Sequence, residues 1–311
     1  MAGFKVVVTD QVFPDIDIER ELIEAAGGTI EVATGSREQV LATAADADAL
    51  LCTYFPLGAV DLGLLKNCKI IARYGIGVDN VDLETARVGG IVVTNVPDYC
   101  VEEVALHTVA LVLAMVRKIA EGDALVRSGG WGSARLGEVR RLSTLTVGLL
   151  GYGRIARDVA AILRPLTAGL LVHDPFVTWA EDRLVDLPTL LAESDVLSVH
   201  CPLTSETRGL VDAAALARMK PGALLVNTSR GPIVVLDDVV RALTGGTLGG
   251  AALDVFESEP PPGRRLAEVP RLLMTPHSAF YSREAIKESQ RKAATQVLKA
   301  LRGEPLDYRV A

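Results

Sequence analysis

The sequence predicts an α/β fold built as two doubly wound parallel-sheet domains. Three observations carry this. Short apolar, β-rich runs alternate with segments of helical spacing through the first third of the chain. The same alternation restarts after residue 145. The length of 311 residues is long for one compact core and suits two.

The elements follow in order. Residues 4–9 form a β-rich run; 19–26 carry helical spacing that Gly27-Gly28 ends. Residues 50–53, 70–73 and 91–94 supply three more strands. A long helix is expected over 101–119, with Glu102-Glu103 in its first turn and Arg117-Lys118 in its last, an order that suits the helix dipole. Residues 127–142 are polar and glycine-containing and read as an arm or linker. Strands then fall at 146–150, 170–173, 196–200, 224–227, 250–253 and 272–275. Helices between them describe a doubly wound sheet. The run Glu259-Pro-Pro-Pro-Gly263 is a loop, and 283–301 a final helix.

Composition narrows the function. Hydrophobic residues make up 49% and charged residues 23%, as in ordinary globular proteins. The net charge is −7. The basic pairs Arg140-Arg141, Arg264-Arg265 and Arg291-Lys292 stand apart, so no basic face for direct nucleic-acid binding is expected. The apolar stretch 104–116 contains His107 and is too short to span a bilayer. No signal peptide is read at the N-terminus, and the expected location is the cytoplasm. Cys52, Cys68, Cys100 and Cys201 are widely spaced without a C-x-x-C pair, which predicts reduced thiols and no metal site.

The most specific local signal is Gly151-Tyr-Gly-Arg-Ile-Ala156, a G-x-G-x-x-A pattern after a strand and opening a helix. Gly151 permits the tight turn, Gly153 lets backbone approach a pyrophosphate, and the helix N-terminus offers N–H groups to the anion. Asp174 lies about 20 residues further on, where an acid binds the adenosine ribose hydroxyls and repels a 2′-phosphate. NAD is therefore expected over NADP. The alternative is a turn aspartate before Pro175.

A nicotinamide enzyme that reduces a carbonyl needs a proton source, an orienting partner for it and a grip on the substrate carboxylate. Of the four histidines, His107 sits within an apolar helix and reads as packed or structural. His173 and His200 sit at strand ends and read as local hydrogen-bonders near the adenosine. His277, in Thr275-Pro-His277-Ser, follows a strand end, where ligands bind in open α/β sheets. It is the candidate acid/base, with a satisfied loop histidine as the alternative. Arg230 lies past another strand end and has the fork that holds a carboxylate. Glu257 and Glu259 follow a third, and each could be a solvated loop acid.

Six segments in order resemble the D-isomer-specific 2-hydroxyacid dehydrogenase family: Arg73-Tyr-Gly-Ile-Gly-Val-Asp-Asn80, Gly151-Tyr-Gly-Arg-Ile-Ala156, His200-Cys-Pro-Leu-Thr204, Asn227-Thr-Ser-Arg-Gly231, Asp254-Val-Phe-Glu-Ser-Glu-Pro260 and Thr275-Pro-His277. They span nearly the whole chain. The resemblance implies two Rossmann-like or flavodoxin-like domains separated by a cleft. A discontinuous substrate-binding domain would comprise residues 1–98 and 285–311, with an NAD-binding domain at 99–284. It implies a homodimer, with the 120–145 region near the arm that packs on the partner. The substrate would be a small 2-oxo or 2-hydroxy acid.

The resemblance also implies roles. Arg230 would bind the substrate carboxylate and polarise the carbonyl. His277 would donate the proton in reduction, and Glu259, directly before proline, would pair with it and favour its protonated form. Asp254 would hold the nicotinamide carboxamide. Arg154 and Ile155 would lie along the pyrophosphate, Cys201, Pro202 and Thr207 on the cofactor side, and Thr228 and Ser229 beside the nicotinamide half. The loop Gly75-Ile76-Gly77 would offer amides to the substrate carboxylate. Two segments, 251–260 and 275–282, are similar to the C-terminal-binding-protein corepressors and their bacterial relatives. These carry tryptophan where this chain has Phe280, and Arg73 matches a substrate-side arginine there. Phe280 and Tyr54 are candidate pocket walls.

The chain departs from the family at Ile76, where many relatives carry Ser or Thr, and in a short segment from 175 to 190. The long regulatory extension of some phosphoglycerate dehydrogenases is absent, so serine feedback through it is not expected. Two further functions remain open: an NADH-sensing, corepressor-like binding protein, and a dehydrogenase for a phosphorylated or unusual acid. Few basic residues in the substrate-side loops disfavour the phosphorylated substrate.

Overall fold

The computed structural model describes residues 3–262 and 266–311. Gly263, which closes the expected proline-rich loop, and the Arg264-Arg265 pair lie outside the described residues. The chain forms two compact units, one of residues up to Cys100 together with Tyr281–Ala311, the other of Val101–Phe280.

The first unit holds β1 (Lys5–Val8), α1 (Asp17–Ala25), β2 (Thr29–Val32), α2 (Arg37–Ala44), β3 (Ala49–Cys52), α3 (Ala59–Leu62), β4 (Ile70–Arg73), α4 (Leu83–Val88) and β5 (Val92–Thr94). Its strands are all parallel, in the order β2-β1-β3-β4-β5. Such strands are buried on both faces and so read as continuous apolar runs. Val7, Leu50, Cys52, Ile71 and Val93 join Val40, Leu41, Leu62 and Ala86 of the flanking helices in one core layer. The C-terminal helix, Arg283–Arg302, packs against β3, β4 and α1.

Helix boundaries follow their caps. Ser36 and Gln39 form a capping box at α2, Asp82 accepts from the Thr85 amide at α4, and Ser282 accepts from the Ala285 amide at the C-terminal helix. Gly303, at φ 70°, ends that last helix. The sequence reading has no counterpart to β2. This edge strand buries Ile30 but little else, so it lacks the apolar run that marks its neighbours.

The second unit opens with α5 (Val101–Arg117) and α6 (Ile119–Arg127). The single helix expected to residue 119 is interrupted at Lys118, whose left-handed φ of 53° starts a new axis. The expected arm is therefore helical at its start, then irregular with short 3₁₀ turns at Ser133–Leu136 and Leu142–Thr144. Arg140 ties it to buried Asp195 at 2.6 Å.

The unit continues with β6 (Thr146–Leu150), α7 (Arg154–Leu163), β7 (Gly169–His173), β8 (Arg183–Leu184), α8 (Leu187–Glu193), β9 (Val196–Val199), α9 (Ala213–Arg218), β10 (Ala223–Asn227), α10 (Leu236–Thr244), β11 (Leu248–Leu253) and β12 (Leu272–Met274), with further 3₁₀ turns at Arg164–Leu166 and Gly231–Ile233. The sheet is parallel throughout, in the order β12-β11-β10-β9-β6-β7-β8. Strand β8, two exposed residues on the edge, was not expected; it carries no apolar signal. Helices α5 and α7 cover one face over Val147, Leu149, Val172 and Val226. Helices α8, α9 and α10 cover the other over Leu150, Leu171, Leu197 and Leu225. The strand order reverses between β6 and its neighbours β7 and β9, which puts a switch point beyond their carboxyl ends.

Candidate active site

The glycine loop joins β6 to α7 at that switch point. Gly151 has φ +96°, and a Cβ there would meet the Cys201 amide nitrogen at 2.6 Å. Only glycine permits both the turn and this contact with the loop after β9. A Cβ on Gly153 would meet nothing within 4 Å, so space is open above the first turn of α7, where Arg154 and Ile155 lie. An open cradle over a helix N-terminus fits a pyrophosphate.

The loop is pinned from below. Asp174, at the end of β7, accepts from the Tyr152 amide at 2.8 Å and from the Phe176 amide at 2.9 Å. It therefore shapes the loop as well as standing where the ribose acid is expected, and each oxygen retains a lone pair. Tyr152 is buried, donates to Asp182 at 3.1 Å and lies under the Arg157 guanidinium. Asp182 is in turn held by Arg164 through two bonds. The sequence reading missed this anchor, since Tyr152 stands at a variable position of the glycine pattern.

The other expected cofactor-side residues form a second loop group. Thr207 donates to the Pro202 carbonyl at 2.6 Å and accepts from the Thr204 amide at 2.8 Å. Ser229 donates to the Cys201 carbonyl at 2.6 Å. Thr108 gives its hydrogen to the Val104 carbonyl, so the 2.7 Å contact between Thr108 and Thr228 uses the Thr228 hydrogen. The hydroxyl hydrogens of Thr207, Thr228 and Ser229 are thus committed within the protein. Burial pushes the Cys201 thiol up to about 11, which keeps it protonated.

Strands β10, β11 and β12 are neighbours, so their carboxyl ends bring Arg230, Glu259 and His277 into one region. Asn227 clasps the first turn, its amide donating to the Arg230 carbonyl while its oxygen accepts from the Ser229 amide. A Cβ on Gly231 would overlap the Phe256 backbone, so glycine there lets the Arg230 loop lie on the loop that carries Glu259. The two glutamates separate cleanly. Glu257 accepts from the Leu236 amide at the start of α10. Glu259 accepts from the Phe256 amide at 3.0 Å and meets His277 Nδ1 at 2.6 Å.

Burial would raise the Glu259 carboxyl. The hydrogen bond and charge of His277, the Phe256 amide and the charge of Arg230 outweigh it and hold the group below the usual carboxylate range. An ionised carboxylate only accepts, so His277 Nδ1 carries the hydrogen directed at Glu259.

His277 has φ 51°, a left-handed backbone rare for a non-glycine residue. Asp254 holds that turn. It is fully buried, and its carboxylate accepts from Thr275 Oγ1 at 2.6 Å and from the amides of Ser278 and Ala279 at 2.9 and 3.0 Å. Its carbonyl accepts from the His277 amide at 2.8 Å. Asp254, expected at the nicotinamide carboxamide, therefore braces the His277 turn with a side chain that has no exposed surface. Phe280 lies edge-on to the His277 ring, 6.0 Å between centroids.

The other histidines are accounted for. His173 Nδ1 donates to the Val185 carbonyl at 3.0 Å. His200 bonds Ser198 at 2.8 Å, and burial pushes it down to about 4, which keeps it neutral. His107, read as packed or structural, bonds Thr275 at 3.1 Å.

The expected substrate-side residues belong to the first unit. Arg73 ends β4, is buried and donates to Asn80 at 2.7 Å. The loop after it is fixed by its carbonyls: Val96 donates to Gly75, and Asn95 donates to Ile76 at 2.7 Å, with Gly77 following. Tyr54 is exposed on a turn that Asp10 pins by accepting from the amides of Thr53, Tyr54 and Phe55. Sequence reasoning missed Asp10, whose partners lie more than forty residues away.

Among the described residues no group of His, Cys, Asp and Glu could hold a metal ion, and no helix is long and apolar enough to cross a membrane. Among the described residues Cys52, Cys68, Cys100 and Cys201 form no disulfide.

The family model described as D-isomer specific 2-hydroxyacid dehydrogenase, NAD binding domain, matches residues 109–279, all within the second unit. A glyoxylate reductase of Thermofilum pendens is 37% identical over 86% of this chain and 83% of its own length. A D-3-phosphoglycerate dehydrogenase of Archaeoglobus fulgidus is 39% identical over 83% of this chain and 50% of its own, so the chain spans about half of that relative. Among solved structures, a D-lactate dehydrogenase of Aquifex aeolicus complexed with NAD and lactic acid superposes with a TM-score of 0.87 at 27% identity, covering 96% of both chains.

Gly151→Val is expected to weaken NADH binding more than about tenfold, because the added carbon atoms must displace the Cys201 backbone or the turn. Fluorescence titration of NADH, with circular dichroism to show a retained fold, checks this.

Proposed function

This chain belongs to the D-isomer-specific 2-hydroxyacid dehydrogenases, NAD-dependent enzymes, and on that premise we propose that it interconverts a small, unphosphorylated 2-oxo acid and its D-2-hydroxy acid with His277 as acid and base. The 2.6 Å contact between His277 Nδ1 and Glu259, on a turn braced by a buried carboxylate, is the observation that carries this reading. It fixes the tautomer and the orientation of the ring that would exchange the proton.

NAD, when bound, supplies or accepts the hydride. Gly151, Gly153, Arg154 and Ile155 would receive its pyrophosphate, Asp174 the adenosine ribose, and the loops carrying Cys201, Pro202, Thr207, Thr228 and Ser229 its flank. In reduction, protonated His277 delivers a proton from Nε2 to the carbonyl oxygen, and Glu259 stabilises the charged ring until transfer. Arg230 holds the substrate carboxylate with its planar fork and draws electron density from the carbonyl. In oxidation His277 takes the hydroxyl proton back. Arg73, the amides around Gly75, Ile76 and Gly77, Tyr54 and Phe280 would be the candidate substrate contacts. A small acid is favoured because the glyoxylate reductase relative is matched over most of its length.

The chain would act as a homodimer in the cytoplasm. Helix α6 buries none of its residues; its Ile119 and Val126 are exposed, as is Trp131 just beyond it. An apolar arm of this kind suits a second copy. Sedimentation should show a dimer, and Val126→Glu with Trp131→Glu should shift it to monomer; a wild-type monomer would count against the assembly.

NADH consumption on a panel of glyoxylate, hydroxypyruvate, branched and phosphorylated 2-oxo acids tests the reaction. His277→Ala should lose about 10²–10⁴-fold in turnover while still binding NADH. No turnover on any acid, despite NADH binding, would overturn the reading.

The acid side of the pH profile follows from Glu259. Its folded pKa is depressed, so the ion pair's contribution is present above the unfolded pKa and lost as pH falls through the folded one. Activity should decline only below the ordinary carboxylate range, and Glu259→Gln should abolish that limb along with most of the rate.

A further inference from the structure

Helix α5 presents two consecutive polar side chains to two different loops of the candidate site. Thr108, fully buried, accepts from Thr228 at 2.7 Å, next to Arg230 in sequence order by two residues. His107 meets Thr275 at 3.1 Å, on the turn that carries His277. The hydrogen inventory fixes the direction of the second bond. Thr275 has one hydroxyl hydrogen, and it goes to Asp254 at 2.6 Å, an oxygen that also accepts from the Ser278 amide. Toward His107 the Thr275 oxygen can therefore only accept, so His107 Nε2 carries the hydrogen. That N–H also points near the Asp254 carboxylate, 3.7 Å away.

The helix is a firm support. It buries Ala105, Val109, Val112 and Met115 in the core under the sheet. A rotatable threonine hydroxyl in the His277 turn is thus fixed at both ends, by a carboxylate and by a histidine on a rigid element.

We propose that His107 and Thr108 are positioning residues: a two-point clamp on α5 that sets the Arg230 loop against the His277 turn. The inference rests on the reading of His277 and Arg230 as the reacting pair of side chains, and neither clamp residue touches substrate in it.

His107→Phe keeps the ring and removes the donor. It should lower kcat roughly threefold to tenfold, the rate equivalent of one neutral hydrogen bond, and leave the NADH Kd within about twofold. Thr108→Val should act alike. His107→Gln, with an amide N–H on a similar reach, should restore most of the loss. Because His107 acts through Thr275, His107→Phe combined with Thr275→Val should be no slower than Thr275→Val alone. Hydrogen exchange at the Ser278 and Ala279 amides should quicken in His107→Phe and return in His107→Gln. Wild-type kcat and wild-type exchange in His107→Phe would overturn the proposal, as would losses that simply add in the double variant. If the wild-type chain turns over no 2-oxo acid, the proposed reaction fails, while the exchange rates still decide whether the clamp exists.

Discussion

The candidate site depends on one buried anion. Asp254 has no exposed surface, yet its carboxylate takes three donors, all from the turn of residues 275–279. Hydrogen bonds to a charged group contribute about 1.5–3 kcal/mol each. Holding a non-glycine residue in the left-handed region costs roughly 1–3 kcal/mol. The three bonds together exceed that cost, which explains how His277 can keep φ 51°. Removing the carboxylate would take the acceptor from the Ser278 and Ala279 amides, the latter buried, and release the turn. The orientation of His277 toward Glu259, and through it the charge state of that glutamate, follows from this arrangement.

The parallel sheet supplies the rest of the convergence. Strand β10 pairs with β11 and β11 with β12. Side chains placed just past three neighbouring strand ends must meet, whatever their separation in sequence. Arg230, Glu259 and His277 come from such positions. A fold of this type gives proximity through strand order and leaves orientation to the loops. Here orientation is supplied by backbone-facing acceptors: Asn227 for the Arg230 turn, Asp254 for the His277 turn, Asp174 for the glycine loop and Asp10 for the turn bearing Tyr54. Each is a short side chain that reads as loop polarity in sequence.

That division sets what the sequence reveals. The strands buried on both faces, such as residues 70–73 and 146–150, are legible because their apolar runs are continuous. Edge strands β2 and β8 are not, since one face or both lie in solvent. The break at Lys118 is also invisible, because the apolar spacing continues past it while the backbone does not. Among site residues, the glycine loop and the strand-end Arg230 and His277 stand out by position and chemistry. Glu257 and Glu259 cannot be told apart from the residues alone, since two acids in one loop have the same composition and only the fold decides that Glu257 caps α10.

His107 shows the limit most clearly. On an apolar helix, a lone histidine is most simply a packed side chain, and its spacing from Thr275 is 168 residues. Nothing local marks it. The meaning of the residue comes from a hydrogen count around Thr275, a quantity defined only once three distant segments share a turn. The neighbouring Thr108 carries the same lesson from the other loop, for its hydrogen is already given to Val104 and it can only accept from Thr228. Two adjacent residues of one helix thus hold opposite roles, a donor to one loop and an acceptor from the other. A uniform apolar face would pack equally well against either loop but would fix neither hydroxyl. The polarity at positions 107 and 108 is therefore better explained by the placement of those loops than by the stability of the helix that bears it.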